Sequence, residues 1–329
     1  MKTNCNLMMG HARVGHFEAA SRLFALSWLC IWGGVCLWGA PLQSSDVPRE
    51  PLWILHLDLD FFRQTTLGQH VLAELDKEEN RKKLAAFQAI FRLDPRTALH
   101  GLTLYSTSKA QEDGVLLVYA DVDVAQLTAL AQGAKDHQTM VHRNHTIHHW
   151  VDDKRPPKSG VPARTYAAIY QSRIVLFSQR PDRMKEALDV LDRQQASLSM
   201  NPQLAAAVPQ QAVLAGVALG GGAAPDDPQA ALLRKSRMVT LALTEMDGKI
   251  QGRFTLETDG DEVAAQVENI LRGLIGLMAL QQNNPDAQRL AGALRVQRQQ
   301  AVVTVELSIP VTELLDRMRS ASGLAQSRS

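Results

Sequence analysis

Cysteine is missing from most of this chain. All three cysteines lie close to the amino terminus, at Cys5, Cys30 and Cys36. The residues after Cys36 therefore cannot form a disulfide, supply a thiol nucleophile or bind zinc through thiolates. We expect this cysteine-free body to be stabilised by an ordinary hydrophobic core.

The chain also lacks an excess of charge and has few aromatic residues. Its formal net charge is +1 and aromatic residues make up 5% of it, whereas 45% of its residues are hydrophobic and 21% are charged. The hydrophobic content is that of a packed globular protein rather than a disordered one. A nearly neutral body offers no electrostatic footprint for a phosphate backbone, so we expect no nucleic-acid partner.

Short catalytic signatures are absent as well. The sequence contains neither a GxSxG nor an HExxH motif. Three consecutive glycines, Gly220 to Gly222, lack the Gly-Lys-Ser/Thr ending of a phosphate-binding loop and predict a flexible connection. Catalytic sites also assemble from residues that are distant in sequence. Enzyme activity therefore stays undecided, and the sequence favours a non-catalytic protein.

One long apolar stretch runs from Leu23 to Ala40 and carries no charge. Arg22 precedes it, and the polar residues 43–46 follow it. This basic, apolar and polar order is typical of a secretory signal, and the stretch approaches the minimum length of a membrane-spanning helix. We expect residues 1–45 to be a signal peptide or an uncut signal anchor. The body is then exported to the periplasm or the extracellular space, free or tethered to the membrane through this stretch.

Two positions for signal cleavage follow from the sequence. A cut after Ala40 places Trp38 at position −3 and Pro41 at +1, both of which are disfavoured. A cut after Ser44 places Leu42 at −3, which is tolerable. Cleavage and anchoring both stay open at this point.

Residue patterns predict the elements of the body. Residues 52–60 alternate between apolar and polar side chains, which predicts a half-buried strand with its leucines inward. Asp-Gly pairs ending at Gly114 and Gly248 predict β-hairpins. Thr65 or Thr66 is expected to begin one helix, and a long helix is expected to begin at Asp259 or Asp261.

The order of these elements predicts the fold class and the domains. Each half reads strand, helical stretch, Asp-Gly hairpin, Asp-capped helix and hairpin, which suggests an internal repeat. Hairpins outnumber crossovers, so we expect an α+β fold of two tandem two-layer sandwiches, with mainly antiparallel sheets and helices on one face. The predicted domains are residues 46–208 and 209–320, and residues 321–329 are expected to be a frayed tail.

In overall layout the chain resembles uncharacterised secreted bacterial proteins with tandem α+β domains. The resemblance lies in the order of elements and turns described above. It implies an exported α+β protein and carries over neither a site nor an activity.

A row of polar residues on the first predicted strand is one candidate metal site. His56, Asp58 and Asp60 lie on the same side of this strand, about 6.6 Å apart at each step. Such a row could bind a divalent metal or perform acid–base chemistry. The solvent-exposed side of any amphipathic strand has the same pattern, so this alternative stays open.

A cluster of histidines is the second candidate. The cluster consists of His137, His142, His145, His148 and His149. Imidazole is a good ligand for zinc, copper and nickel. A hairpin that turns at residues 143–144 brings His142 opposite His145, whereas one that turns at residues 144–145 scatters the histidines over both faces. We therefore take His142, His145 and His149 as candidate ligands together with the row on the first strand, the alternative being an exposed polar hairpin.

Residues 263–278 predict a helix with a broad apolar face. Core packing accounts for most of such a face, and a groove for a partner or a lipid is the sharper alternative. Three hypotheses result. The protein is a non-catalytic binding or envelope-structural protein with a protein partner in the cell envelope, a metal-dependent enzyme or metal-binding protein, or a carrier of an apolar ligand.

Overall fold

The computed structural model describes residues 40–157, 160–220 and 235–326. All of them belong to one compact unit, Gly39–Ser329. The predicted leader lies outside the described residues except for residues 40–45, and most of the triple-glycine loop also lies outside them. Within the described ranges, no helix is both long enough and apolar enough to cross a bilayer.

Twelve strands of the described part form one sheet. Seven come from the first half: β1 (Trp53–Asp58), β2 (Leu99–Ser106), β3 (Val115–Ala120), β4 (Gln138–His142), β5 (His145–Val151), β6 (Arg164–Tyr170) and β7 (Ile174–Ser178). The others are β8 (Leu214–Leu219), β9 (Ser236–Met246), β10 (Lys249–Thr258), β11 (Leu294–Gln299) and β12 (Val302–Pro310). Their order is β11-β12-β10-β9-β8-β1-β2-β3-β7-β6-β5-β4.

Helices separate the hairpins along the chain. The first half contains α1 (Leu59–Gln64), α2 (Thr66–Leu75), α3 (Glu78–Phe91), α4 (Pro95–Ala98), α5 (Val124–Gln132), α6 (Pro181–Leu191) and α7 (Pro202–Ala207). The second half contains α8 (Asp261–Ala279), α9 (Pro285–Ala293) and α10 (Val311–Gln326). The last helix continues into the segment that the sequence predicts to fray, and residues 327–329 lie outside the described part.

The fold is α+β, as the sequence predicts, and local turn chemistry accounts for much of it. Asp247 and Gly248 have φ angles of 53° and 69° in the turn between β9 and β10, as an Asp-Gly hairpin requires. The hydroxyl of Thr65 accepts a hydrogen bond from Gly68 N and caps α2. Gly260, which bears no capping side chain, precedes α8, so neither predicted aspartate caps this helix.

The two predicted sandwiches share a single sheet. β1 pairs with β8 at its centre, with Ile54 opposite Val217. On one side of this pair the order is β1-β2-β3, followed by β7. On the other side it is β8-β9-β10, followed by β12. The strand order is therefore symmetric about the β1–β8 pair over five strands on each side, and β5 and β4 extend the first half beyond this symmetry. A further tie between the halves comes from Glu245 on β9, whose carboxylate accepts hydrogen bonds from Thr66 N and Leu67 N at the start of α2.

The larger hydrophobic core lies in the first half of the sheet. α6, α7 and residues 44–47 cover it. Fully buried members include Val47, Leu117, Leu176, Met184 and Leu188. A smaller core in the second half has four buried residues, Ala264, Val267, Val296 and Val303, under α8.

The two cores lie on opposite faces of the sheet. Ile54 belongs to the larger core, and its cross-strand neighbours continue the same face through Val217 to Thr304 on β12. Val303 is next to Thr304 in the strand and therefore points to the other face. Each half thus packs its main helix on one face, but the halves use different faces.

The first strand differs from its prediction. It ends at Asp58, and Asp60 lies in α1 rather than in the strand. Within β1 the polar side is the buried one, since His56 is 2% exposed whereas Leu55 is 36% exposed. The inward orientation of these polar groups is stabilised by hydrogen bonds from neighbouring segments, which alternation along one strand does not reveal.

Candidate functional site

His56 and Asp58 are structural residues at the centre of the sheet. His56 Nδ1 lies 2.9 Å from Thr103 Oγ1, and its Nε2 lies 2.8 Å from the carbonyl oxygen of Ala40. Asp58 Oδ1 accepts hydrogen bonds from Ala40 N at 2.9 Å and from Phe61 N at 2.8 Å, the second of which caps α1. Burial lowers the pKa of His56 more than the hydrogen bond to Ala40 and the charge of Asp58 raise it. These two side chains hold the chain that enters the domain.

Asp60 faces a different set of partners. Its carboxylate pairs with Arg63 one turn away on α1 and lies 3.1 Å from His100 Nδ1. The other ring nitrogen of His100 is 3.2 Å from Asp121 Oδ2. Both nitrogens of the imidazole are therefore occupied by carboxylates, and His100 joins β2 to the end of β3.

The histidine hairpin turns at residues 143–144 and is held by α6. The register places His142 opposite His145, one of the two arrangements considered from the sequence. His142 Nε2 lies 2.9 Å from Asp189 Oδ1, and His145 Nε2 lies 2.8 Å from Asp192 Oδ2. Burial alone would raise the pKa of Asp189, but hydrogen bonds from Arg143 and His142 bring it below its usual value. Each of the two histidines thus has its own carboxylate partner.

The other three histidines form a separate group around β5. His137 Nε2 lies 3.0 Å from His148 Nδ1, and the Arg164 guanidinium donates to His149 Nδ1 at 3.0 Å. Burial, together with the neighbouring His137, lowers the pKa of His148. Burial lowers the pKa of His149 as well, and the positive charge of Arg164 adds to this effect. The folded protein therefore favours the neutral forms of both rings.

These lowered pKa values predict a loss of stability in mild acid. A histidine that is neutral in the folded protein binds a proton more readily in the unfolded chain. Its contribution to the free energy of unfolding is therefore complete above about pH 6.5 and declines as the pH falls through the pKa of the folded state. We expect the Tm to fall by at least about 2 °C between pH 7 and pH 5. Thermal melts of a double variant, His148→Gln with His149→Gln, should show a shallower decline over that interval. An identical slope in the variant would contradict the assignment.

The structure does not bring the two candidate metal groups together. Strands β2, β3, β7 and β6 separate β1 from β5, which corresponds to roughly 24 Å at the spacing of neighbouring strands. Among the described residues, no group of three or more His, Cys, Asp or Glu side chains is placed to hold a metal ion. The polar groups of His56, Asp58, Asp60, His142, His145 and His149 instead have the hydrogen-bond partners given above.

A polar cleft of about 1050 Å³ lies beside the histidine hairpin. The turns of β4–β5 and β6–β7 and the end of α6 line it, and its charged residues are Asp46, Arg143, Asp192 and Arg193. Arg143 and Arg193 have φ angles of 52° and 61°, the left-handed region that residues other than glycine seldom adopt. Arg193 pairs with Asp46, which is itself buried. Charges of both signs balance here, so the cleft is not complementary to a ligand of one sign.

An exposed apolar stripe follows one side of α8. Ile270, Leu274 and Leu277 recur at helical spacing and are 47%, 49% and 63% exposed. The buried residues of the same helix, Ala264 and Val267, lie near its start. The broad apolar face predicted from the sequence is therefore buried only in part: Leu271 and Ile275 pack against the smaller core, whereas the stripe faces solvent.

A groove adjoins the end of this helix. It has a volume of about 1090 Å³ and lies among α8, α9, the end of β12 and α10. Its apolar lining includes Met278, Leu290, Ile309 and Leu314. Arg289 also lines it and forms no hydrogen bond or ion pair with another described residue. The remaining polar lining consists of Asn284, Asp286, Ser308, Thr312, Glu313, Asp316 and Arg317. An apolar floor that meets polar groups is typical of a small-molecule site.

Sequence reasoning missed the partners of the histidines and the groove. Asp189 and Asp192 are each 47 positions from the histidine that they contact, and no local pattern links residues so far apart. The groove forms where three helices and a strand end meet. Only the width of the apolar face on α8 indicated it.

Comparisons with known proteins do not assign a function to this chain. No family model and no curated protein matches the chain. Crystal form III of TP0453 has a TM-score of 0.49 at 9% identity, over 84% of this chain and 97% of that chain. Crystal form I of the same protein has a TM-score of 0.45 at 10% identity, over 85% and 98%. Function therefore has to be argued from the geometry of the described residues.

Proposed function

We propose that the protein is an exported, non-catalytic binding protein of the cell envelope, and that it binds an amphiphile with an apolar chain and an anionic head. The groove at the end of α8 carries this proposal. It combines a volume suited to one small ligand with an apolar floor and an arginine, Arg289, that has no partner among the described residues.

The apolar part of the ligand is matched by the floor of the groove. Met278, Leu290, Ile309 and Leu314 come from four different elements and converge on one space. Burying an acyl chain against them gains about 0.8 kcal/mol for each methylene group removed from water. The exposed stripe on α8 ends beside Met278 and extends the apolar surface beyond the groove.

The charge on the rim is matched by the head of the ligand. Arg317 is already paired with Asp286 and Glu313, at 3.1 and 3.2 Å. Arg289 has no partner among the described residues, so it is available to a carboxylate or a phosphate. The groove is also lined by the carboxylates of Asp286, Glu313 and Asp316, so the preference for an anionic head rests on Arg289 alone and not on a positively charged rim.

Export is part of the same proposal. The leader from Leu23 to Ala40 directs the body across a membrane, and the cysteine-free body is stable there without disulfides. We propose no metal, no cofactor and no catalytic step. A protein partner at the stripe on α8 is a different occupant, which the experiment below separates from an amphiphile.

Binding of a dansyl-labelled undecanoic acid to the purified full-length chain tests the groove. Leu290→Glu places a charge on the apolar floor and should raise the Kd at least about tenfold, equivalent to 1.4 kcal/mol. Arg289→Ala removes the exposed ion pair between Arg289 and the carboxylate of the bound ligand, and it should raise the Kd about threefold. An organic extract of the protein should also contain co-purified lipid by mass spectrometry.

A matched control lies at the opposite end of the sheet. Val141 on β4 is 73% exposed, so Val141→Glu makes a similar change far from the groove and should leave the Kd unchanged. Binding that is unaffected by Leu290→Glu would contradict the groove. No saturable binding together with a lipid-free extract would overturn the amphiphile and leave the stripe to a protein partner.

A further inference from the structure

Ala40 is held in the domain by both of its backbone polar groups. Its nitrogen donates to Asp58 Oδ1 at 2.9 Å, and its carbonyl oxygen lies 2.8 Å from His56 Nε2. Leu42 packs against the larger core, and Val47 is completely buried. The chain from Ala40 onward is therefore an integral part of the fold, although the sequence alone assigns residues 40–45 to the leader.

Asp58 is a buried carboxylate with no cationic partner in the part of the chain that the structure describes. It is 5% exposed, and both of its hydrogen bonds come from backbone N–H groups, those of Ala40 and Phe61. No lysine or arginine of the described part forms an ion pair with it. Burial lowers the pKa of the neighbouring His56 and so opposes a positive charge on that ring. Buried charges in proteins are normally paired.

We infer that a peptidase of the export machinery cuts the bond between Gly39 and Ala40, and that the new amino terminus pairs with Asp58. Water adds to the carbonyl carbon of Gly39 and the C–N bond breaks. The leader leaves with a carboxylate on Gly39, and the released amine of Ala40 takes up a proton. The resulting ammonium group is already within hydrogen-bond distance of Asp58, where it supplies the missing cation.

The sequence around this bond suits such a cut. Gly39 at position −1 and Ala40 at +1 are small, and Leu37 occupies −3. A cut after Ser44 would instead remove Ala40 and so take away one of the two hydrogen-bond partners of Asp58 and one of the two of His56, both of which are buried. A cut after Ala40 has the same consequence.

The amino-terminal sequence of the exported protein tests this inference, which rests on the proposed export. The full chain is expressed in a bacterial host, and the soluble, membrane and extracytoplasmic fractions are separated. We expect extracytoplasmic protein that begins Ala-Pro-Leu-Gln. An exported chain that begins at Ser45, or one that keeps its leader, would overturn the cut at Gly39 while leaving export and ligand binding intact. Protein confined to the cytoplasm with its leader attached would overturn export as well.

A pH titration tests the ion pair separately. A carboxylate partner raises the pKa of the Ala40 amine in the fold, so its contribution is complete below the ordinary α-amino pKa of about 8 and is lost as the pH rises further. The Tm of the mature protein should fall by about 2 °C or more between pH 7 and pH 9. Asp58→Asn keeps the acceptor oxygen, removes the charge and should abolish this decline.

An uncut form serves as the second comparison. Gly39→Leu places a large side chain at position −1, so the leader should be retained and the alkaline decline should be absent. Equal declines in the mature protein and in Asp58→Asn would overturn the ion pair.

Discussion

Replacing Gly68 with alanine is expected to destabilise the protein by about 3 kcal/mol or more. Gly68 lies in the first turn of α2, and a Cβ atom built there would lie 1.9 Å from the carbonyl oxygen of Phe62 in α1. That oxygen is backbone and also accepts hydrogen bonds from Thr65 N and Thr65 Oγ1. It cannot move without disturbing α1, the helix that Asp58 caps. Urea denaturation of the variant gives the change in the free energy of unfolding.

A glycine in another helix provides the matched control. A Cβ atom on Gly273 in α8 would meet nothing within 4 Å. Gly273→Ala should stabilise the protein by about 0.5 to 1 kcal/mol, because alanine loses less backbone entropy in a helix. The same chemical change is thus expected to have opposite signs at the two sites. Equal effects of the two substitutions on the free energy of unfolding would contradict the close approach of Gly68 to the carbonyl oxygen of Phe62.

Leu117→Ala is expected to cost about 3 to 5 kcal/mol. Leu117 is completely buried in β3, and Thr103 and Leu176 flank it on the neighbouring strands. It belongs to the larger core with Met184 and Leu188 of α6, which are also fully buried. Truncation removes transfer free energy and leaves a cavity that close-packed neighbours fill only in part.

The exposed leucine on α8 is the comparison for this variant. Leu274 is 49% exposed, so Leu274→Ala should change the free energy of unfolding by less than about 1 kcal/mol. A guanidinium melt of both variants measures the contrast. A cost below about 1 kcal/mol for Leu117→Ala would mean that the larger core is not close-packed at this position.

The hypothesis of an apolar-ligand site had one basis in the sequence. The broad apolar face of α8 is visible as spacing, because residues three and four apart share one side of a helix. Its exposure was not visible, since that depends on where β11, β12 and α9 end. Arg289 was equally invisible as a ligand-binding residue, because whether an arginine is paired depends on side chains brought close by the fold.

The hypothesis of a metal site was based on the number and type of residues in a short segment. Histidines are concentrated between residues 137 and 149, but a ligand set needs convergent geometry as well as the right residue types. In the structure Asp189 of α6 and Asp192, the residue after its end, bond to two of these histidines, and Arg164 bonds to a third. The row on the first strand is equally occupied, since Ala40 engages His56 and Asp58.

By itself, the sequence determined the α+β class, the Asp-Gly turn at Asp247 and Gly248, a helix start at Thr65 or Thr66 and the absence of disulfides from the body. These features depend on residues within a few positions of one another, or on composition alone. Only the tertiary structure decided that two halves share one sheet, that their cores lie on opposite faces and that Ala40 belongs to the fold. Each of these features depends on which distant segment of the chain pairs with a strand, packs on a face of the sheet or bonds to a buried polar group. Those contacts form only when the whole chain packs.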